Sequence, residues 1–325
     1  VVWSNYIDYR LNHIFVLNAN DDEVTDFMIT LVGPTHLDDS SASPKKLQDD
    51  VFIDGTISPE EKVNVTFMDR SGGFWVQFSL EEGEIFTGDD TIEINIVYEF
   101  RSYFAWWPDA DEEGGDISDM PSWATGMYLG DMTWNRSYDD STDVGYNSSH
   151  PEIVALAQDI VGDETNAYEI AKLIFLWMDE NIEYDEEAGE LKTVSETLAA
   201  GKGDCDDQAT LYIALARAAG LPAWMQMGML DTGNGWENHA WVQLHIPGVG
   251  NVTIDPSNDQ FLINSPNRLA TYTDQGVAGW MFDFYNHILF WTVGDAPTFH
   301  TAVTLTMDSK EASAGTVTVP FPQIA

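Results

Sequence analysis

The chain contains one cysteine, Cys205, set in "GKGDCDDQATLYIALARAAGLPA" between Asp204 and the pair Asp206 and Asp207. Apolar residues follow it at helical spacing: Ala209, Tyr212, Ile213, Ala216 and Ala219 on one stripe, Leu211 and Leu215 on a second. A helix apolar nearly all round is a buried one, and Gly220 followed by Pro222 supplies its stop. The spacing therefore places the thiol at the start of a buried helix. Unpaired N–H groups and the positive end of the dipole there favour a thiolate and can donate to an oxyanion. The flanking acids work against this by like charge. Taken alone, such a cysteine is more often a small buried, inert side chain than a reactive one.

A nucleophile needs a base, and "ENHAWVQLHIPGVGNVTIDPSN" offers one. Ala240, Val242, Leu244 and Ile246 alternate along one strand face, so His239, Trp241, Gln243 and His245 take the other. After the turn, "VTID" buries Val252 and Ile254 and ends on Asp255, where Pro256 blocks further pairing. Such a hairpin brings His239 and Asp255 together. The carboxylate then holds the imidazole tautomer while the other ring nitrogen faces the thiol. His245 shares the strand face without a matching motif and is expected to be structural. Cys, His and Asp with no second Cys or His nearby make a poor zinc pattern.

The order "GDCDDQATLYIALARAAGLPAW", "NHAWVQLHIPG", "VTIDPSN" resembles the transglutaminase-like superfamily, whose core is a papain-like cysteine site. The resemblance covers residues 150 to 260 or so, and "DISDMPSWATGMYLG" is similar to the lead-in that precedes this core in microbial members. It implies Cys205 as nucleophile, His239 as general base and acid, and Asp255 as the residue orienting it. It also implies acyl chemistry on amide bonds, with hydrolysis the more usual outcome in microbial members and protein cross-linking the other. Asn251 stands where members often carry an aromatic residue. Gln208, one turn along the helix, is expected to pack or hydrogen-bond locally, and the oxyanion hole is assigned only the backbone N–H of Cys205.

Other elements must position these residues. From residue 10 to 100, "LNHIFVLN", "VTDFMITLV", "EKVNVTFMD", "GFWVQFSL" and "TIEINIVYEF" alternate apolar and polar residues between turn-rich breaks, which reads as an antiparallel sandwich. From Pro151, "PEIVALAQDIVGD" and "NAYEIAKLIFLWMDENIEY" carry helical spacing, and "TVSETLAAG" delivers the chain to the cysteine helix. The expected class is α+β. A β-sandwich over 1–104 and an aromatic, acidic connection over 105–150 precede a catalytic core over 151–265. A C-terminal extension over 266–325 carries an amphipathic helix within "VAGWMFDFYNHILFWTVG" (277–294) and a β-hairpin. Trp106, Trp107, Trp123 and Trp134 could stack on a sugar, but packing between domains accounts for them more cheaply. "DADEEGGD" resembles the start of a calcium loop, yet Met120 falls where the twelfth-position acid belongs. No cofactor is expected, with calcium the weak exception.

Lys and Arg number 13 against 55 Asp and Glu, a net charge of −42 spread along the whole chain, which disfavours nucleic acid and anionic membrane surfaces as partners. Acidity of this kind suits a surface solvated in high salt, as in an archaeal microbe, or an acidic secreted protein. The single cysteine excludes an internal disulfide. The chain begins without Met or a charged-then-apolar leader, and its sequons at Asn64, Asn135, Asn147 and Asn251 lean slightly towards export. An extracellular or cell-surface setting and a protein or peptide substrate are expected. The alternative is a non-catalytic scaffold or surface module that uses the same fold for recognition.

Overall fold

The computed structural model describes residues 6–19, 23–33, 37–38, 46–70, 73–87, 90–135, 143–187, 189–233, 235–274, 288–294 and 298–311. The chain runs first through strands β1 (Tyr6–Asn18), β2 (Glu23–Gly33), β3 (Lys46–Ser58), β4 (Val63–Arg70), β5 (Gly73–Leu80) and β6 (Thr91–Tyr103). Helices α1 (Ser122–Tyr128), α2 (Pro151–Val161), α3 (Ala167–Asn181), α4 (Val194–Ala200) and α5 (Cys205–Ala218) follow. The strands β7 (Ala223–Asp231), β8 (Trp236–Ile246), β9 (Gly250–Asp255) and β10 (Arg268–Thr273) come next, and β11 (Ile288–Gly294) and β12 (Thr298–Glu311) close the chain.

The sandwich forms as its alternation requires. β1 buries every second residue, and Tyr9, Leu11, Phe15 and Leu17 meet Ile92, Ile94, Ile96 and Tyr98 of β6 in one core with Phe27 of β2 and Val76 and Phe78 of β5. One sheet has the order β12-β1-β6-β3 and the other β11-β2-β5-β4, with every pairing antiparallel.

Two sequence expectations change here. Residues 288–294 are strand β11, paired with β2 from Val24 to Leu31, and not the end of a helix begun at 277. Ile288, Phe290, Trp291, Thr292 and Val293 are β-favouring types, and an unpaired edge of β2 outweighs their helical spacing. The rest of that expected helix, 275–287, lies outside the described residues. The last segment is also no separate extension: β11 and β12 are outer strands of the sandwich, and β10 extends the core sheet past residue 265. The sandwich is thus built from both ends of the chain, with the helical region inserted between β6 and β11. Among the described residues no helix is long and apolar enough to cross a membrane.

The inserted region centres on α5. Asp204 caps it, accepting from the Asp207 N–H while the Asp207 carboxylate accepts from the Asp204 N–H. Every residue from Asp207 to Arg217 is buried, so α5 is a central rod wrapped by α2, α3 and α4 on its flanks and by β7 and β8 on the sheet side. α3 buries Ile170, Ile174 and Met178 against it. The sheet has the order β9-β8-β7-β10, extended beyond β9 by Gln260–Phe261. Of the connecting tryptophans, Trp107 is buried in this core, Trp106 lies against Phe104, and exposed Trp123 sets an edge on His245; the side chain of Trp134 lies outside the described residues.

Gly228 is what lets β7 and β10 meet at a local register shift. A Cβ on it would stand 1.7 Å from the Leu269 carbonyl oxygen. Gly228→Ala should therefore cost about 2–4 kcal/mol of stability by denaturant unfolding. Gly126→Ala, in α1 with nothing within 4 Å of the added carbon, should leave stability unchanged or raise it slightly.

Candidate active site

Cys205 sits at the first turn of α5, half-buried, with the backbone N–H of Ala240 near enough to its sulfur to favour the thiolate. Ala240 follows His239 on β8, so helix start and strand start converge on one spot. Burial pushes the Cys205 thiol well up, and Asp206, Asp204 and Asp255 add to this, while the Ala240 N–H opposes it. The acids are not equivalent. Asp207 is buried and takes both the Lys192 backbone N–H at 2.7 Å and its ammonium at 2.6 Å, so its charge is matched. Among the described residues Asp206 has no such cation. Burial and the neighbouring Asp204 carboxyl push Asp206 well above the usual carboxylate range.

His239 is 3% exposed and Asp255 0%, and Nε2 of the imidazole lies 2.8 Å from Asp255 Oδ2. Burial alone would push the Asp255 carboxyl up. His239, Arg268 and the Ser257 hydroxyl outweigh it and hold the group well below the usual carboxylate range. An ionised carboxylate only accepts, so Nε2 carries the proton and Nδ1 is the basic nitrogen. The structure thus pairs His239 with Asp255 and places the Cys205 sulfur near the backbone N–H that follows His239.

Other residues around this centre were not legible beforehand. Asp255 also accepts from Arg268 Nη1 at 2.7 Å, Asn258 Nδ2 at 3.1 Å and, on Oδ1, Ser257 Oγ at 3.0 Å. Ser257 and Asn258 follow directly after Asp255 in a short 3-10 turn, and "DPSN" was the available signal. Trp241 stacks on His239, with centroids 5.7 Å apart, and the Arg268 guanidinium lies 5.0 Å from the Trp241 ring centre. Tyr184, 52% exposed, borders the thiol; burial of its hydroxyl, with the charges of Cys205, Asp204, Glu237 and Asp206, pushes it up to about 12.

The neighbours expected to be structural are so placed. His245 Nδ1 bonds Asn251 Oδ1 at 2.8 Å, and Gln208 donates to the Gly203 carbonyl at 2.9 Å. The 109–116 stretch forms a short helix, Ala110–Glu113, and Asp116 caps the turn after it through the Ser118 N–H. Among the described residues, the acids whose oxygens converge closely enough for one ion are instead Asp204, Asp206 and Asp207.

Residues 154–256 match the sequence profile of the transglutaminase-like superfamily. Over 103 residues the chain is 31% identical to an uncharacterized protein of Haemophilus influenzae, a stretch making up 29% of this chain and 28% of that protein. The chain therefore matches well under a third of that relative's length. Among solved structures, a candidate cysteine protease from Cytophaga hutchinsonii aligns with a TM-score of 0.60 at 16% identity, covering 94% of this chain and 92% of the other. This is a likeness of fold that includes the sandwich. The periplasmic domain of TgpA from Pseudomonas aeruginosa aligns at a TM-score of 0.37 and 12% identity over 79% of this chain and 89% of that one.

Asp206 and the thiol compete to ionise, so removing the carboxyl should make the thiol easier to ionise. Asp206→Asn should lower the midpoint of the iodoacetamide rate–pH profile and raise the rate at pH 9 by roughly fivefold. Substituting Asp207, whose charge Lys192 already matches, should instead loosen the helix start and lower the melting temperature.

Proposed function

We propose, from the match of residues 154–256 to the transglutaminase-like superfamily, that the protein is a thiol enzyme that cleaves amide bonds in proteins or peptides through Cys205, His239 and Asp255. The observation that carries this reading is the buried His239–Asp255 pair at 2.8 Å, on the strand whose next N–H, that of Ala240, favours the Cys205 thiolate. Nδ1 of His239 takes the thiol proton as sulfur attacks the amide carbonyl. The tetrahedral oxyanion is held by the N–H at the start of α5, and His239 returns the proton to the departing amine. Water, deprotonated by His239, then attacks the thioester, releasing the acid and restoring the thiol. Asp255 keeps the imidazole in one tautomer throughout and balances its transient charge.

Resolution by water is preferred to resolution by a second amine. The description of the Cytophaga hutchinsonii protein as a candidate cysteine protease agrees with this preference. No cofactor enters these steps. With a net charge of −42, we further assign the protein to an extracellular or cell-surface, salt-rich setting.

The second reading is a non-catalytic recognition module, and one observation favours it: burial and the adjoining acids both raise the Cys205 thiol. Function then turns on whether His239 offsets them.

Three outcomes separate these readings. Peptide-amide turnover and thiol-probe labelling should both vanish in Cys205→Ala; labelling that persists would sink the assignment, and turnover that never appears in the parent favours the recognition module. Given a labelled primary amine alongside a peptide, the enzyme should release free carboxylate and incorporate little amine; dominant incorporation reverses the preference for hydrolysis. Salt adaptation predicts a melting temperature that rises steadily from 0.1 M to about 2 M KCl as self-repulsion is screened; a flat or falling curve removes that assignment.

A further inference from the structure

We propose that Arg268 is a positioning residue of the thiol centre and that through it the β-sandwich fixes the geometry of His239. This rests on the catalytic reading above. Arg268 opens β10 and is 2% exposed. Its guanidinium spans two fixed points, Nη1 on Asp255 Oδ2 at 2.7 Å and Nη2 on the Ile263 carbonyl at 3.0 Å, while Nε is buried without an acceptor among the described residues. A buried Arg–Asp pair that leaves one N–H unsatisfied is a poor way to gain stability, since a packed apolar pair does as well or better. What an apolar side chain cannot do is hold Asp255 ionised and immobile.

The position of Arg268 is in turn set from the sandwich. Its carbonyl oxygen accepts Ser102 Oγ of β6 at 3.0 Å. Two residues on, Ala270 exchanges two hydrogen bonds of 2.9 Å with the Gln48 side chain of β3. Two residues earlier, the Pro266 carbonyl accepts the Tyr9 hydroxyl of β1 at 2.8 Å. Three strands of one sheet thus grip the segment on both sides of Arg268. From there the linkage runs to Asp255 and His239, with Trp241 lying between the guanidinium and the imidazole.

The effect is carried by geometry. With Nη1 on Asp255 Oδ2 and Nη2 on the Ile263 carbonyl, the guanidinium fixes the carboxylate oxygen that the imidazole Nε2 bonds. What fixes that oxygen fixes the ring, and with it the direction in which Nδ1 points.

The test measures peptide-amide turnover in the full chain, together with the His239 ring nitrogen shifts at one fixed pH, which report whether Nε2 holds the proton, in the parent, Arg268→Met and Arg268→Lys. Arg268→Met should mix the two tautomers and lower kcat by roughly ten- to a hundredfold, with KM changed far less. Arg268→Lys should restore the parent tautomer, but it recovers only part of kcat because it cannot span both anchors. A folded Arg268→Met whose ring shifts and kcat match the parent overturns the proposal. Should Arg268→Met not fold, Arg268→Lys decides: the parent tautomer with kcat reduced at least threefold supports positioning, and an unreduced kcat overturns it. If the parent turns over no amide, the catalytic reading fails, whereas the ring shifts still report whether Arg268 holds His239.

Discussion

The helical region and its sheet depend on a carboxylate that water does not reach. Asp255 is fully buried, and an isolated charge there would be prohibitive. It is tolerable because four donors converge on it: His239 from β8, Ser257 and Asn258 from the turn that follows it, and Arg268 from β10. β9 and β10 stand at opposite ends of the order β9-β8-β7-β10, so this convergence needs a closely drawn sheet. Gly228, which admits the Leu269 carbonyl against β7, is one of the residues that allows it. Any loosening of this sheet leaves a buried anion with fewer donors, so site geometry and fold stability are the same problem.

The thiol end is poised less favourably. A helix start stabilises a thiolate, but the same start is capped by acids, and in this chain acids outnumber bases about fourfold. The structure limits the conflict unevenly. Lys192 neutralises Asp207, and Asp207 closes the capping box that fixes where α5 begins. Asp206 is left beside the sulfur, where burial and Asp204 push it towards its neutral form. In a neutral carboxyl the repulsion of the thiolate is gone, so the two groups are coupled: ionising either one makes the other harder to ionise.

The sequence was most legible where local pattern and final environment agree. Asp204 to Pro222 states a capped, all-buried helix, and alternation through Ala240, Val242 and Leu244 with "VTID" after a glycine turn states a hairpin; together these place Cys205, His239 and Asp255. β3 was missed because Asp49, Asp50, Asp54 and Gly55 interrupt any apolar alternation over Lys46–Ser58, and its pairing with β6 holds it extended regardless. β11 was misread because aromatic and aliphatic residues at 288–291 fit a helical stripe as well as a strand, and only the unpaired edge of β2 decides. Arg268 was invisible for a different reason: in "NRLATYT" nothing local distinguishes a buried guanidinium from a solvated one, and its partner lies across the sheet.

The order of the chain turns that last contact into a dependence between domains. The sandwich is completed only when β11 and β12 pair with β2 and β1, so the helical core lies in sequence between the strands that make the sandwich. β10 is the segment both units hold, bonded to β7 on the core side and to Ser102 and Gln48 on the sandwich side. A perturbation of the sandwich that shifts β3 or β6 therefore moves the backbone of Arg268 directly. Because the guanidinium is tied at both ends, that movement passes to Asp255 instead of being absorbed by side-chain rotation. Charge balance points the same way, since in so acidic a protein Arg268 is the cation that meets Asp255. The sandwich on this account is a structural determinant of the imidazole's setting, and its surface residues distant from Cys205 need no contact with substrate to influence the chemistry.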